Sequence, residues 1–162
     1  MKDILLDEYF SLWTSINQTS NMMLAVREKE IGQYGLSPIE QRLLILIPLM
    51  ETAIGEVTPS DLSRWLIRKK GSISGLLNRM EKRGLIQKIP HQNSKKSIVI
   101  KVTEKGEELS QQAHTRGVFI KELMSALTEE ERHQLWMIMG KLRSLTLKEL
   151  RLPQKPPYPQ FL

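Results

Sequence analysis

At 162 residues, with 40% hydrophobic and 26% charged side chains, the chain carries enough apolar material for one domain, or one domain with an elaborated scaffold. The absence of cysteine excludes a disulfide framework, a thiolate metal site and a thiol redox sensor, and no apolar run reaches the roughly 18–20 residues that cross a bilayer. The formal net charge is +6 and the first residues are charged rather than signal-like, so a cytoplasmic protein with an anionic partner and no membrane contact is the expectation.

From Asp3 to about Gln33, Leu5, Tyr9, Leu12, Trp13, Ile16, Met23 and Val26 recur at helical spacing, with Asp3, Asp7 and Glu8 at the positive end of the helix dipole. The pattern predicts a helix of about 25–30 residues, roughly 40 Å long, too long to bury against one small module, so contact with a partner is expected. Ser37-Pro38-Ile39-Glu40 then combines a capping serine, a proline at the first helical position and a glutamate that closes a capping box. That helix continues through Leu43, Leu44, Ile47 and Met50, with Pro48 expected to kink or shorten it and Gly55 to end the following turn.

Thr58-Pro59-Ser60-Asp61 repeats the start signal and opens a short helix burying Leu62, Trp65 and Leu66. Arg68-Lys69-Lys70-Gly71 reads as a turn, and Ser72 as the start of a helix with Ile73, Leu76, Leu77 and Met80 inward, closed by Gly84 in a left-handed cap. The period then changes from 3.6 to 2: Leu85–Ile89 and Ser97–Val102 read as strands joined by a polar tip, His91–Lys96. Thr103 caps a helix expected to reach about Leu127, and Thr128 with Glu131 forms a capping box opening another through Leu135, Ile138, Met139, Leu142 and Leu145. Four prolines between Leu152 and Leu162 imply an extended strap.

Helix, turn, helix and hairpin, framed by long helices, give a mainly α (α+β) fold: a winged helix-turn-helix module on a dimerisation scaffold. The boundaries fall at 1–34 for an N-terminal dimerisation helix, 35–102 for the module, 103–150 for C-terminal dimerisation helices and 151–162 for the proline-rich tail. Within residues 56–105 twelve Lys/Arg face four Asp/Glu, a local net of +8, so the flanks sum to −2. A basic module between mildly acidic neighbours suits a polyanion. Aromatics, at 6%, are sparse for a platform that stacks single-stranded bases, which favours duplex DNA.

With Ser72–Arg83 as recognition helix, Ser72, Ser74, Gly75, Asn78, Arg79 and Lys82 face outward; hydroxyls and Asn78 suit base edges, and Arg79 suits a guanine or a phosphate. Gly75 either lets backbone approach the groove or permits tight helix packing. Arg68, Lys69 and Lys70, with Lys82 and Arg83 at the far end, would neutralise phosphates on either side, and Asn93, Lys95 and Lys96 would bracket the neighbouring groove. Ser60 and Arg64 on the preceding helix complete the DNA-binding set. Trp65 is read as core. The plainer alternatives are a solvated basic face and a solubilising hairpin tip.

From Leu36 to Gly106 the stretches LSPIEQRLL, TPSDLSRWL, SISGLLNRMEKRGLIQK and IVIKVTEKG resemble the MarR family (multiple antibiotic resistance regulators) of dimeric winged-helix transcription factors. With the long flanking helices, the resemblance covers about 145 residues. It implies a homodimer built by the first helix and the last two, consistent with a seam at Trp136, Met137 and Met139, and a pseudo-palindromic operator read about one helical turn apart. It implies a transcriptional regulator, most often a repressor, and a small aromatic or anionic effector, for which Trp13, Met22 and Met23 are candidate liners beside their plainer reading as core. The chain departs from the family at Ser94 and Lys96, where an Asp-x-Arg element is usual, and lysine lacks arginine's planar fork.

His91, His114 and His133 show no paired-ligand spacing, and no nucleophile–base pair or phosphate loop is present, so neither a metal, a cofactor nor catalysis is expected. Two other functions fit the same residues: a winged-helix module whose basic face takes an acidic protein, and an effector-free architectural DNA binder.

Overall fold

The computed structural model describes residues 7–91, 94–115 and 117–152, with backbone alone at 94–96. The expected strap at 153–162 and the start of the first helix at Asp3 and Leu5 lie outside them.

Helix α1, Glu8–Gly32, begins where Asp7 accepts from the Tyr9 amide, and buries only Ile31. Helix α2, Pro38–Ile54, opens with the expected capping box between Ser37 and Glu40. It is not shortened at Pro48. Burial of Leu43, Leu44, Leu46, Ile47 and Met50 outweighs the roughly 3 kcal/mol that an interior proline costs, and Gly55 ends it at φ 80°.

Helix α3, Pro59–Trp65, starts from the Thr58–Asp61 capping box. Leu62 and Ser63 are its buried residues, while Trp65 and Leu66 pack half-buried against the core. Helix α4, Lys70–Lys82, starts two residues before the expected Ser72, from Lys69 as its N-cap. Lysine carries no acceptor, so this start leaves no capping signal in sequence. Gly84, at φ 70°, closes α4: its amide donates to Glu81 O at 2.8 Å and the Leu85 amide to Met80 O at 2.9 Å, the paired bonds of a left-handed cap.

Strands β1, Ile86–His91, and β2, Ser94–Val102, pair antiparallel from Ile86↔Val102 to Pro90↔Ile98, with an irregularity between Pro90 and His91. Each extends further toward the tip than the sequence pattern indicated. Ile100 N–H also donates to Val57 O at 2.8 Å, tying the hairpin to the segment before α3.

The expected long helix to Leu127 is two helices, α5, Glu104–Thr115, and α6, Phe119–Ser125. Between them Gly117 lies so close to the Arg27 guanidinium that a Cβ would collide with it. Glu30 accepts from Phe119 N–H at 2.9 Å, supplying the new helix with the acceptor that its N-cap, Val118, lacks. Burial would raise the Glu30 pKa, but this bond and the Arg27 partner together hold it below the usual value. Helix α7, Glu129–Glu149, opens with the Thr128–Glu131 capping box and buries nothing.

The core lies in the middle of the chain. Leu43, Leu44, Ile47, Leu62, Ile73, Leu77, Met80, Ile86 and Ile100 join α2, α3, α4 and the hairpin, with Ile31 from α1 and Ala113 from α5 at its edge. Gly106 wedges α5 onto this unit: an added Cβ would sit 2.9 Å from Val102 Cγ1, 3.1 Å from Leu44 Cδ2 and closer still to the Leu85 carbonyl oxygen. No helix among the described residues is long and apolar enough to cross a membrane.

Candidate nucleic-acid interface

Helix α4 is placed by the four residues it buries, Ile73, Leu76, Leu77 and Met80. At about 100° per residue the opposite line runs Gly71, Gly75, Asn78, Lys82, with Ser72 and Arg79 on one flank and Ser74 and Glu81 on the other. Every one of these is exposed except Gly75, which is intermediate. A Cβ at Gly75 would meet nothing nearer than Arg79 Nη1 at 3.8 Å, so packing within the chain does not require glycine there. Tight helix packing within the chain is thereby removed as an alternative, and an open outward surface is left.

Where α2, α3 and α7 begin with a capping box, α4 begins with two lysines, no side-chain cap and no acid in its first turn. Its leading amides therefore have no acceptor from the cap, and an anion is the natural complement at this positive helix end. Preceding it, Arg68 is exposed on a turn held by Ser63, whose hydroxyl donates to Arg68 O at 2.6 Å and whose carbonyl accepts from the Arg68 amide at 3.0 Å. Ile67 in that turn adopts φ 53°, a left-handed conformation that costs a branched residue about 1–2 kcal/mol. On α3, Ser60 and Arg64 are exposed, with Arg64 Nη1 3.8 Å from Asp61 Oδ1.

One expected phosphate contact is committed elsewhere. Arg83 forms an ion pair with Glu40 at 2.7 Å and donates to Gly35 O at 2.6 Å, while Glu40 also accepts from the Ser37 amide at 2.9 Å. Arg83 thus bolts the end of α4 to the start of α2 instead of projecting toward a groove. Burial would raise the Glu40 pKa, but the Ser37 and Arg83 hydrogen bonds and the guanidinium charge together lower it.

Lys88 is a further residue of this surface, without a signal in the sequence pattern. From β1 its ammonium reaches α4, 2.7 Å from Glu81 Oε2 and in hydrogen-bond contact with Asn78 Oδ1. Nothing local in the sequence signals either clamp, because Arg83 and Glu40 stand 43 positions apart and Lys88 lies on a different element from its partners. At the tip end of β1 His91 Nε2 lies 3.1 Å from Glu56, and nearer the base of the hairpin Lys101 Nζ lies 2.9 Å from Glu51. Asn93 and the side chains of Lys95 and Lys96 lie outside the described residues.

The three candidate effector residues do not form one pocket in the single chain. Trp13 and Met22 are nine residues apart on α1 and therefore face opposite ways, both more than half exposed; Met23 is partly buried. In the single chain, exposure overrides the plainer reading as core for Trp13 and Met22, though not for Met23. A shallow depression does lie along α7, lined by Trp136, Met137, Gly140, Lys141, Ser144 and Leu145. Among the described residues no group of three His, Asp or Glu is placed to hold a metal ion.

Residues 49–106 match the family described as a winged helix DNA-binding domain. The multiple antibiotic resistance protein MarR of Salmonella typhimurium (strain LT2) is 30% identical over 90 residues, 54% of this chain and 62% of that protein, so the match spans less than two thirds of it. The transcriptional repressor MprA of Escherichia coli (strain K12) is 29% identical over 123 residues, covering 75% of this chain and 69% of the repressor. Among solved structures, the organohalide-sensing regulator RdhR in its 2,4-dichlorophenol-bound form is similar with a TM-score of 0.73 at 29% identity, over 87% of this chain and 82% of that one. A mutant MarR from E. coli complexed with operator DNA has a TM-score of 0.74 at 22% identity, over 85% of this chain and 97% of that one, a likeness of fold.

Proposed function

We propose that this chain is a winged-helix regulator of the MarR family, a dimeric, sequence-specific reader of double-stranded DNA that represses transcription. The observation that carries the reading is the start of α4: an uncapped helix end bearing Lys69 and Lys70, next to exposed Arg68 and continuous with the open line Gly71, Gly75, Asn78 and Lys82. Phosphate contacts from Arg68, Lys69, Lys70, Arg79 and Lys82 would hold the helix in a major groove, where Ser72, Ser74 and Asn78 meet base edges.

Dimerisation is supported by what the single chain leaves uncovered. Tyr9 and Trp13 on α1 are 82% and 63% exposed, and Trp136 and Leu145 on α7 are 57% and 66% exposed. Apolar side chains at that density on two long helices call for a second copy rather than solvent. Two-fold pairing through residues 1–34 and 103–150 would set two α4 helices against a pseudo-palindromic operator. Relief by a small aromatic or anionic effector, and residence in the cytoplasm, complete the proposal. Support for the effector is the likeness to a regulator with 2,4-dichlorophenol bound.

The test is duplex binding across a salt series, with duplexes drawn from DNA flanking the protein's own gene and with scrambled controls. The expected result is tighter binding to one natural duplex and a log K that falls with log salt by about 0.9 per phosphate contact. Salt-independent binding, or none at low salt, would instead fit a basic face made for an acidic protein. Equal affinity for natural and scrambled duplexes would fit an architectural binder.

A further inference from the structure

Asn78 stands at the centre of the outward line of α4, and its carboxamide is not free to choose its orientation. Lys88 Nζ meets it at Oδ1 and is fixed from the other side by Glu81 Oε2 at 2.7 Å. The lysine side chain is 17% exposed, so the wing strand delivers the ammonium to this place from beneath the helix face. An ammonium has three donors and no acceptor. Of the two ends of a carboxamide, only the oxygen can face it, and the NH2 end must then point away, toward whatever lies on α4.

An unconstrained asparagine grips adenine with both ends at once, accepting from N6–H2 through Oδ1 and donating to N7 through Nδ2. Oδ1 keeps a second lone pair, but an adenine N6–H2 reaching it at Asn78 would do so beside an ammonium whose positive charge opposes an approaching donor and favours an acceptor edge. What remains outward is a donor pair, and the matching acceptors on a purine edge are N7 and O6 of guanine. Resting on the proposed reading of DNA, we propose that Lys88 is a specificity-determining residue: by holding Oδ1 of Asn78 it turns that side chain into a donor and sets a preference for guanine over adenine at the base it meets.

The experiment is selection of bound duplexes from a randomised library by the full chain, with base preference scored at every position. Four variants are compared: Lys88→Met, which keeps the length of the stem without the donor; Lys88→Arg, which keeps a donor; Asn78→Ala; and Lys88→Met combined with Asn78→Ala. Glu81 is 41% exposed, so water solvates its carboxylate when the ammonium is removed. The expected result is a guanine preference at one position per half-site that falls about tenfold relative to adenine in Lys88→Met and persists in Lys88→Arg. Adding Lys88→Met to Asn78→Ala should change nothing further. The same guanine-to-adenine ratio with and without Lys88, or a shift that survives loss of Asn78, overturns the inference while DNA reading stands. Absence of any selected sequence with the unsubstituted protein overturns the DNA reading itself, and this inference with it.

Discussion

Gly106→Ala should destabilise the fold although it places a better helix former inside α5. Alanine in a helix interior is favoured over glycine by about 1 kcal/mol. Against that gain, the new methyl would stand 2.9 Å from Val102 Cγ1, 3.1 Å from Leu44 Cδ2 and nearer still to the Leu85 carbonyl oxygen. The two side chains can turn aside, but the carbonyl belongs to the backbone at the entry to β1. Moving it strains the Thr103 N–H bond to Leu85 O at 3.1 Å, and with it the Thr103 hydroxyl bonds that link Gly84 O at 2.6 Å and the residue-106 amide at 3.1 Å. Overpacking of a filled site costs about 1–3 kcal/mol, and weakened hydrogen bonds put this one at the upper end. The net expectation is a loss of about 2 kcal/mol, read as a lower urea midpoint with an unchanged slope at fixed protein concentration. Gly71→Ala is the control, since a Cβ there meets nothing within 4 Å, and it should be neutral or slightly stabilising. If Gly106→Ala matched the control, the close docking of α5 on the wing would be wrong.

Other substitutions probe the interface and its supports. Lys69→Ser supplies the missing acceptor at the start of α4 and should raise stability by about 1 kcal/mol while weakening binding to all duplexes alike, measured by thermal melts and anisotropy. Asn78→Ala should cost about 1–3 kcal/mol on the preferred duplex and little on scrambled ones in parallel titrations. Glu40 has a lowered folded pKa, so its stabilising contribution is present above its ordinary value of 4.5 and is lost as the pH falls through the lower, folded one. Arg83→Ala removes one cause of that lowering, so acid unfolding followed by circular dichroism should begin at higher pH. An unchanged acid midpoint would show that Ser37 alone supports the carboxylate.

Local signals in the sequence were sufficient for most of the architecture. Capping boxes at Ser37, Thr58 and Thr128 involve residues three apart, so the pattern and the structure are nearly the same statement. Gly84 and the change of period after it marked the end of α4 and the start of the wing for the same reason. What escaped depends on contacts across the chain. The break between α5 and α6 is made by Arg27 and Glu30 on α1, and the uninterrupted α2 survives Pro48 because its neighbours bury Leu46, Ile47 and Met50. At the interface, an outward pattern gave Ser72, Ser74, Asn78, Arg79 and Lys82 as exposed, as they are, but a pattern of charge cannot distinguish Lys82 from Arg83, which is also exposed yet paired with Glu40.

Affinity cleavage puts the central proposal to its most direct trial, and a chain without cysteine makes it clean. A Ser72→Cys variant carrying a thiol-linked iron chelate should cut the preferred duplex at two clusters about one helical turn, or a multiple of it, apart. The same chelate at Gln111→Cys, on an exposed face of α5, should cut weakly or elsewhere. Equal cleavage from both positions, or none from residue 72 on a duplex that is bound, would contradict the placement of α4 in the groove.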